Sequence, residues 1–160
     1  MKTIALVTGA NKGLGFETAR QLGQQGIKVL MASRNEKRGR QAVERLKAEG
    51  HDVEFVQLDV TKASEVEALV QYIESTYTKL DILINNAGIM HSGEPGGVNS
   101  STVVTAEVLR ETFDVNFFSL INLTQQLIPL IQKSSAGHIV NVSSILGSNT
   151  IQSDESSPWS

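Results

Sequence analysis

The stretch Thr8-Gly9-Ala10-Asn11-Lys12-Gly13-Leu14-Gly15 follows a short apolar run over residues 4–7 and opens a helical pattern. Glycines in such a turn permit positive φ and let backbone N–H groups approach an anion. The N-terminus of the following helix adds about half a positive charge to hold that anion. The glycine spacing is G-x-x-x-G-x-G, which is neither the G-x-G-x-x-G pattern nor a Walker A loop. This position and spacing predict a turn that binds the diphosphate of a dinucleotide, rather than a plain tight connection.

Apolar runs and amphipathic stretches alternate on both sides of this turn. Strands are predicted over residues 4–7, 27–31, 53–58, 80–84 and 139–142, and helices over residues 14–25, 36–49, 66–77 and 107–132. Thr61 or Ser64 is a candidate cap for the third helix, and Gly50 suits the C-terminal end of the second. Short strands that are apolar on both faces indicate a parallel sheet covered by helices on both sides. Right-handed crossovers then give a doubly wound, Rossmann-like α/β fold.

Two stretches carry no regular pattern. Residues 88–105 are rich in Gly, Ser and Asn and are predicted to form a surface loop, either a substrate lid or a plain connection. Residues 147–160 are rich in Ser and show no helix or strand signal.

Length and composition restrict the class of protein. The 160 residues correspond to one domain, and 40% hydrophobic with 19% charged residues is typical of globular proteins. A net charge of −3 argues against binding to nucleic acid or to an anionic membrane surface. The absence of cysteine excludes disulfides, a thiol nucleophile and thiolate-bound zinc, and the three scattered histidines do not suggest a metal site. The N-terminal apolar run is too short for a signal peptide or a membrane span, so a cytoplasmic location is expected.

The glycine-rich turn resembles that of the short-chain dehydrogenase/reductase family, which carries Thr-Gly-x-x-x-Gly-x-Gly at this place. Further family marks follow in chain order: Asp59-Val60 after the third strand, Asn85-Asn86-Ala87-Gly88 after the fourth, Asn116 in the long helix, and Ser144 after the fifth. The sequences around residues 11–13 and 141–144 are most similar to the carbonyl reductases of the family.

This resemblance implies roles for individual residues. The implied cofactor-binding set is Gly9, Asn11, Lys12, Gly13, Leu14, Gly15, Ser33, Arg34, Asp59, Val60, Asn86, Ala87 and Gly88. Ser144 would polarise the substrate carbonyl, and Asn116 would hold a water that links the active-site lysine to solvent. The resemblance further implies the strand order 3-2-1-4-5, with more strands and helices after the fifth strand. The resemblance also allows a homo-oligomer, because members of the family often pair through the long helix.

The residues after the second strand favour NADP(H) over NAD(H). An NAD site would place Asp or Glu there to accept from the ribose 2′-OH, whereas this chain has Ala32-Ser33-Arg34. Lys12 lies within the glycine turn as a second cation. Each charge-assisted hydrogen bond to a 2′-phosphate contributes about 1.5–3 kcal/mol. Two such bonds favour NADP over NAD by on the order of a hundredfold or more. The alternative is that Lys12 and Arg34 are ordinary surface cations.

One family signature is missing. Family chemistry requires a Tyr-x-x-x-Lys pair downstream of the serine, and this chain has no tyrosine or lysine after Ser144. Its two tyrosines, Tyr72 and Tyr77, lie upstream on an amphipathic helix without a lysine four residues on. The fifth strand and the apolar long helix would also lack part of their cover. Residues 1–160 are therefore expected to form a single dinucleotide-binding domain that is incomplete at its C-terminal end.

Two functions follow as expectations. The first is an NADP(H)-dependent oxidoreductase that reduces an aldehyde, ketone or quinone in the complete protein, with this chain alone inactive. The second is a non-catalytic NADP-binding module or an inactive truncated paralogue. The substrate cannot be inferred from these residues.

Overall fold

A computed structural model describes residues 2–90 and 104–148, together with residues 150, 153 and 156. The strands are β1 (Ile4–Thr8), β2 (Lys28–Ser33), β3 (Val53–Gln57), β4 (Ile82–Asn85) and β5 (His138–Asn141). The helices are α1 (Gly13–Gln24), α2 (Glu36–Ala48), α3 (Ala63–Tyr77), α4 (Ala106–Phe113) and α5 (Ser119–Ile131). The predicted strands and helices all lie at these places, with ends that differ by a few residues.

The five strands form one parallel sheet in the order β3-β2-β1-β4-β5, as predicted. Strand β1 lies at the centre, with β2 on one side and β4 on the other. The chain therefore reverses its direction of winding between β1 and β4. In open α/β sheets, ligands bind in the crevice outside the carboxyl ends of the strands at such a switch point.

Helices cover the sheet on both faces, because successive side chains of each strand point to opposite sides. Leu6, Leu30 and Leu83 contribute to one core cluster, which α3 and α5 complete. Val7 and Met31 contribute to the other, which α1 and α2 complete. All five residues of β1 are buried, as a central parallel strand requires.

The helix ends show where local sequence rules apply. Asn35 begins α2 by accepting a hydrogen bond from the Arg38 N–H at 2.9 Å. Gly50 follows the end of α2 with a φ of +86°, as expected for a helix that ends on a glycine. The predicted cap of α3 is wrong. The residue before α3 is Lys62, which makes no side-chain cap bond, and the Thr61 hydroxyl instead bonds to Asp59.

The long helix predicted over residues 107–132 is interrupted. Helices α4 and α5 are joined by a π-helical segment, Asp114–Phe118, whose wider turn includes a hydrogen bond from the Ser119 N–H to the Asp114 carbonyl. A π-helical turn inserts one extra residue per bond, so the side chains of α4 and α5 are rotated relative to a continuous helix. Past β5, residues Ile145–Gly147 form a short 3₁₀ turn. The predicted loop at 88–105 and the tail at 147–160 fall largely outside the described residues.

Strand β5 and the adjoining helices expose apolar surface. All four residues of β5 are exposed, whereas the last three of β4 are buried. The rings of Phe113, Phe117 and Phe118 contact one another, Phe117 edge to face with each of the other two, and each residue is at least half exposed. The predicted exposure of the fifth strand and the long helix is therefore present.

Buried polar side chains fix both ends of β4. Asp81 precedes the strand and accepts hydrogen bonds from the Ile4 N–H at 2.8 Å and from Lys79 Nζ at 2.6 Å. Asn85 ends it, and its Nδ2 donates to Thr124 Oγ1 of α5 and to Asn141 Oδ1 of β5, each at 2.9 Å. These bonds hold the strand against both of its neighbours.

Candidate cofactor cleft

A cleft of about 640 Å³ lies at the carboxyl ends of the strands, at the switch point between β1 and β4. The loops that follow β1, β2, β3 and β4 supply its walls. Every cofactor-binding residue predicted from the sequence lines it: Gly9, Asn11, Lys12, Gly13, Leu14, Gly15, Ser33, Arg34, Asp59, Val60, Asn86, Ala87 and Gly88. The fold thus brings four separate strand ends into one concave surface.

The glycines of the turn meet two different requirements. Gly9 and Gly13 have φ values of +66° and +57°, in the left-handed region that side chains disfavour. Gly15 instead allows close packing, since a Cβ there would lie 2.3 Å from Asn86 Nδ2 and 2.7 Å from the Gly9 carbonyl oxygen. Helix α1 can therefore begin directly against the end of β4, with its N-terminal N–H groups facing the cleft.

The Thr8 hydroxyl joins the glycine turn to the end of β4. It accepts hydrogen bonds from the N–H groups of Asn86 (3.0 Å) and Ala87 (2.9 Å), and Thr8 is 1% exposed. The Asn86 side chain completes the link, because its Nδ2 donates to the Thr8 carbonyl at 2.8 Å. Thr8 lines the cleft; it is the first residue of the stretch predicted to bind the diphosphate, but it was not among the predicted cofactor-binding residues.

Among the residues that the structure describes, three cations and one carboxylate line the cleft. The cations are Lys12, Arg34 and Arg38, and the carboxylate is Asp59. Asp59 Oδ1 accepts from the Thr61 N–H at 3.1 Å and from its hydroxyl at 2.8 Å. Arg38 was not predicted, but a helix starting at residue 36 places it in the first turn beside Arg34. The two residues directly after β2 are Arg34 and Asn35, and Glu36 does not line the cleft, so this end of the cleft favours an anion.

Asn116 and Ser144 are placed differently with respect to the cleft. Asn116 lies in the π-helical segment, and its amide bonds both main-chain groups of Ile89: Oδ1 accepts from the N–H at 2.8 Å, and Nδ2 donates to the carbonyl at 2.9 Å. Ile89 itself lines the cleft. Ser144 is exposed, lies three residues beyond β5, and is not among the lining residues.

The two tyrosines are remote from the cleft. Both hydroxyls donate to the Glu54 carboxylate, that of Tyr77 at 2.9 Å, near the amino end of β3. Burial and the hydrogen bond to Glu54 raise the pKa of Tyr72 above its usual range. A tyrosine acting as a general acid near neutral pH needs the opposite shift. Lys28 forms an ion pair with the same carboxylate at 3.0 Å, which makes this a structural network at the other end of the sheet.

The family model described as short chain dehydrogenase matches residues 3–155. The chain belongs to the short chain dehydrogenase family. This assignment accounts for the parallel sheet, its strand order and the place of the glycine turn. Members of the family are oxidoreductases, so the cleft belongs to an oxidoreductase fold.

Relatives show how much of the family fold the chain represents. It is 42% identical to short-chain dehydrogenase/reductase 1 of Saponaria officinalis, over 91% of this chain and 54% of the relative. It is 40% identical to carbonyl reductase (NADPH) 1 of Mus musculus, over 91% of this chain and 50% of the relative. The solved menthone neomenthol reductase of Mentha piperita matches with a TM-score of 0.81 and 37% identity, over 98% of this chain and 68% of that one. The chain spans about half the length of the curated relatives.

Among the residues that the structure describes, no helix has the length and apolar character needed to cross a bilayer.

Proposed function

We propose that this chain is the NADP(H)-binding part of a short chain dehydrogenase that reduces a carbonyl group by hydride transfer. The observation that carries the proposal is the charge at the β2 end of the cleft, where Arg34 and Arg38 line the wall and Glu36 does not. A 2′-phosphate on the adenosine ribose would receive charge-assisted hydrogen bonds there. The similarity to a carbonyl reductase named for NADPH supports the same cofactor.

The proposed binding mode follows from the geometry of the lining residues. The diphosphate would lie at the N-terminus of α1, against the N–H groups of the turn at residues 9–15. Asp59 and Val60, at the end of β3, would lie beside the adenine. The cofactor, when bound, supplies the hydride, while this chain supplies its position and the surrounding charge.

Asn116 and Ser144 are proposed to act on the substrate side. Asn116 holds the loop after β4 through both main-chain groups of Ile89, which places that loop next to the cofactor cleft. Ser144, at the carboxyl end of β5, would donate a hydrogen bond to the substrate carbonyl. The Tyr-x-x-x-Lys pair that would donate the proton is not in this sequence. We therefore expect no carbonyl-dependent oxidation of NADPH by the 160-residue chain.

The exposed surface supports the proposal that the domain is incomplete. Parallel sheets are almost always covered on both faces, yet every residue of β5 is exposed. Ile139 and Val140 are 41% and 47% exposed, and the three phenylalanines add to this apolar area. Additional strands and helices packed beyond β5 would cover it. The small-molecule carbonyl substrate would then bind between that part and the cleft.

The alternative is a non-catalytic NADP-binding module or an inactive truncated paralogue, since residues 1–160 contain no Tyr-x-x-x-Lys pair. Both functions require the cofactor, and turnover separates them. The coding sequence downstream of Ser160 also distinguishes the two functions, because an in-frame Tyr-x-x-x-Lys supports the reductase. A stop codon at that point supports the module.

Isothermal titration with NADPH and NADH tests the cofactor. We expect Arg34→Asp to lower the affinity for NADPH at least about tenfold more than the affinity for NADH, since the loss of one charge-assisted bond and the added repulsion act only on the 2′-phosphate. Lys37→Asp is the matched control, because Lys37 is an exposed cation on α2 that does not line the cleft. Equal losses for the two cofactors would contradict the proposal.

A further inference from the structure

The turn between β2 and α2 carries one of the arginines of the cofactor cleft. Arg34 and Asn35 form this turn, and Arg34 lines the cleft although it is exposed and belongs to neither element. The direction of its side chain therefore depends on how the main chain of the turn is held. A charge-assisted hydrogen bond to a phosphate has a donor–acceptor distance of about 2.7–2.9 Å, so a small displacement of the turn would break it.

The side chain of Gln57, the last residue of β3, bonds to this turn. Gln57 lies opposite Ser33, the last residue of β2, and the Leu58 N–H donates to the Ser33 carbonyl at 3.2 Å. The Gln57 Nε2 donates to the next carbonyl along the chain, that of Arg34, at 3.0 Å. A side-chain hydrogen bond thus extends the attachment of β2 to β3 by one residue, past the ends of both strands.

Arg38 is held in the cleft by a different support. It lies in the first turn of α2, where its N–H donates to the Asn35 side chain at 2.9 Å. The next residue, Gly39, is buried, and a Cβ there would lie 2.2 Å from Cε2 of Phe55 in β3. The first turn of α2 therefore packs directly on β3. The position of Arg38 is set by this helix and not by the Gln57 side chain.

Gln57 does not itself line the cofactor cleft. Its effect on a bound dinucleotide therefore passes through Arg34, the residue whose carbonyl it binds. NADPH carries a 2′-phosphate where NADH carries a hydroxyl, and a guanidinium bonds far more strongly to the phosphate. Displacement of Arg34 would therefore weaken the binding of NADPH and have little effect on that of NADH.

We propose that Gln57 is a positioning residue for cofactor selectivity. Its side-chain amide holds the main chain of Arg34, so that the guanidinium meets the 2′-phosphate of NADP(H). The inference rests on the proposed cofactor. It assigns part of the preference for NADPH over NADH to a residue of β3 that contacts neither cofactor.

Isothermal titration of Gln57→Leu with NADPH and NADH tests this role. Leucine is similar in size to glutamine but has no donor. We expect the affinity for NADPH to fall about three- to tenfold, as the loss of one hydrogen bond allows, and that for NADH to stay within about twofold. Gln57→Asn, whose amide is one methylene shorter, should behave in the same way. Gln41→Leu is the matched control, since Gln41 is an exposed glutamine of α2 that does not line the cleft.

Double variants separate positioning from a general structural effect. In the Arg34→Ala background, Gln57→Leu should no longer change the ratio of NADPH affinity to NADH affinity, because the guanidinium that it positions is gone. In the Arg38→Ala background it should still lower this ratio by about threefold or more, because the helix holds Arg38. A merely structural role would lower the ratio equally in both backgrounds.

The outcomes distinguish this inference from the proposed function. If Arg34→Ala alone leaves the ratio unchanged, both the proposed cofactor and the role of Gln57 are overturned. If Arg34→Ala lowers the ratio but Gln57→Leu changes it by less than about threefold, the positioning role alone is refuted. An equal effect of Gln57→Leu with and without Arg34 would refute it as well.

Discussion

Replacement of Asp81 by alanine tests the polar network that attaches β4 to the rest of the fold. Asp81 is 5% exposed and accepts hydrogen bonds from the Ile4 N–H, the Lys79 ammonium and the Ser134 hydroxyl. Asp81→Ala removes the acceptor of all three hydrogen bonds at once. It leaves a buried main-chain N–H at the start of the central strand without a partner, and it leaves Lys79, whose side chain is 17% exposed, without its counter-charge.

The expected cost follows from these contacts. Removal of one partner of a buried ion pair costs about 3–5 kcal/mol, because the remaining charge and donors stay desolvated. Exposed ion pairs contribute only about 0–1 kcal/mol. Glu74→Gln is therefore the matched control, since the Glu74–Lys133 pair joins α3 to the residue before Ser134 but its side chains are 59% and 49% exposed.

Urea unfolding followed by far-ultraviolet circular dichroism measures both variants. With a denaturant slope of about 1–3 kcal/mol per molar urea, Asp81→Ala should lower the midpoint by about 2 M. Glu74→Gln should shift it by less than about 0.5 M. A loss of stability below about 1 kcal/mol for Asp81→Ala, comparable to that of the control, would refute the view that Asp81 is a buried anchor.

The pH dependence gives a second measure of the same network. Burial raises the pKa of Asp81, but the hydrogen bonds from Lys79, Ser134 and the Ile4 N–H outweigh it and hold the pKa below its usual range. A lowered pKa contributes stability that is present above the unfolded value of about 3.9 and is lost as the pH falls through the folded value. The difference in stability between wild type and Asp81→Ala should therefore narrow below about pH 4.

Two further substitutions test the cleft. Gly15→Ala should weaken binding of NADPH at least about tenfold and lower the free energy of unfolding by about 1–3 kcal/mol. The reason is that the new Cβ would lie 2.3 Å from Asn86 Nδ2 and would push α1 away from β4. Calorimetry and thermal unfolding measure the two effects, with Gly147→Ala as the control because a Cβ there meets nothing within 4 Å. Thr8→Val should speed hydrogen exchange most at the Ala87 amide, which loses its acceptor at a cost of about 1–3 kcal/mol. The Asn86 amide should change less, because it also donates to the Ile84 carbonyl at 3.1 Å. Thr8→Ser keeps the hydroxyl and should exchange as wild type does. Unchanged exchange in Thr8→Val would show that other groups hold the end of β4.

The parts of the fold that follow from local pattern were predictable from the sequence. Apolar runs at the strands and glycines after β1 predict a parallel sheet with a glycine-rich turn after its central strand, and the structure has both. Arg38 was missed because its place in the cleft depends on how α2 starts after Asn35, which is a matter of three-dimensional orientation. The π-helical segment was missed because its hydrophobic spacing does not differ from that of an ordinary helix. Its distinguishing contact, between Asn116 and Ile89, joins residues 27 positions apart.

The cap of α3 shows the limit of residue preferences. Thr61 and Ser64 are both residues that commonly cap helices, yet neither does so. Asp59 competes for the Thr61 hydroxyl at 2.8 Å, and the Glu65 carboxylate reaches back to the Asp59 N–H. The side chains of Thr61 and Glu65 thus hold the residues that follow β3, whereas capping preferences alone would have placed Thr61 at the start of α3.

The hydrogen bonds of the Asn85 side chain affect where Ser144 lies relative to the cofactor cleft. Strand β5 has only four residues, and its outer edge has no neighbour within the described sheet, so backbone pairing with β4 alone gives little resistance to sliding along the sheet. A displacement by one residue would invert which side chains of β5 face inward, and a displacement by two would carry Ser144 about 6–7 Å along the strand axis. The Asn85 side-chain amide donates to both Asn141 and Thr124, and these two hydrogen bonds form together in only one register of β5 against β4. A single buried side chain thereby sets the distance between a serine on one strand and a cofactor held by the others.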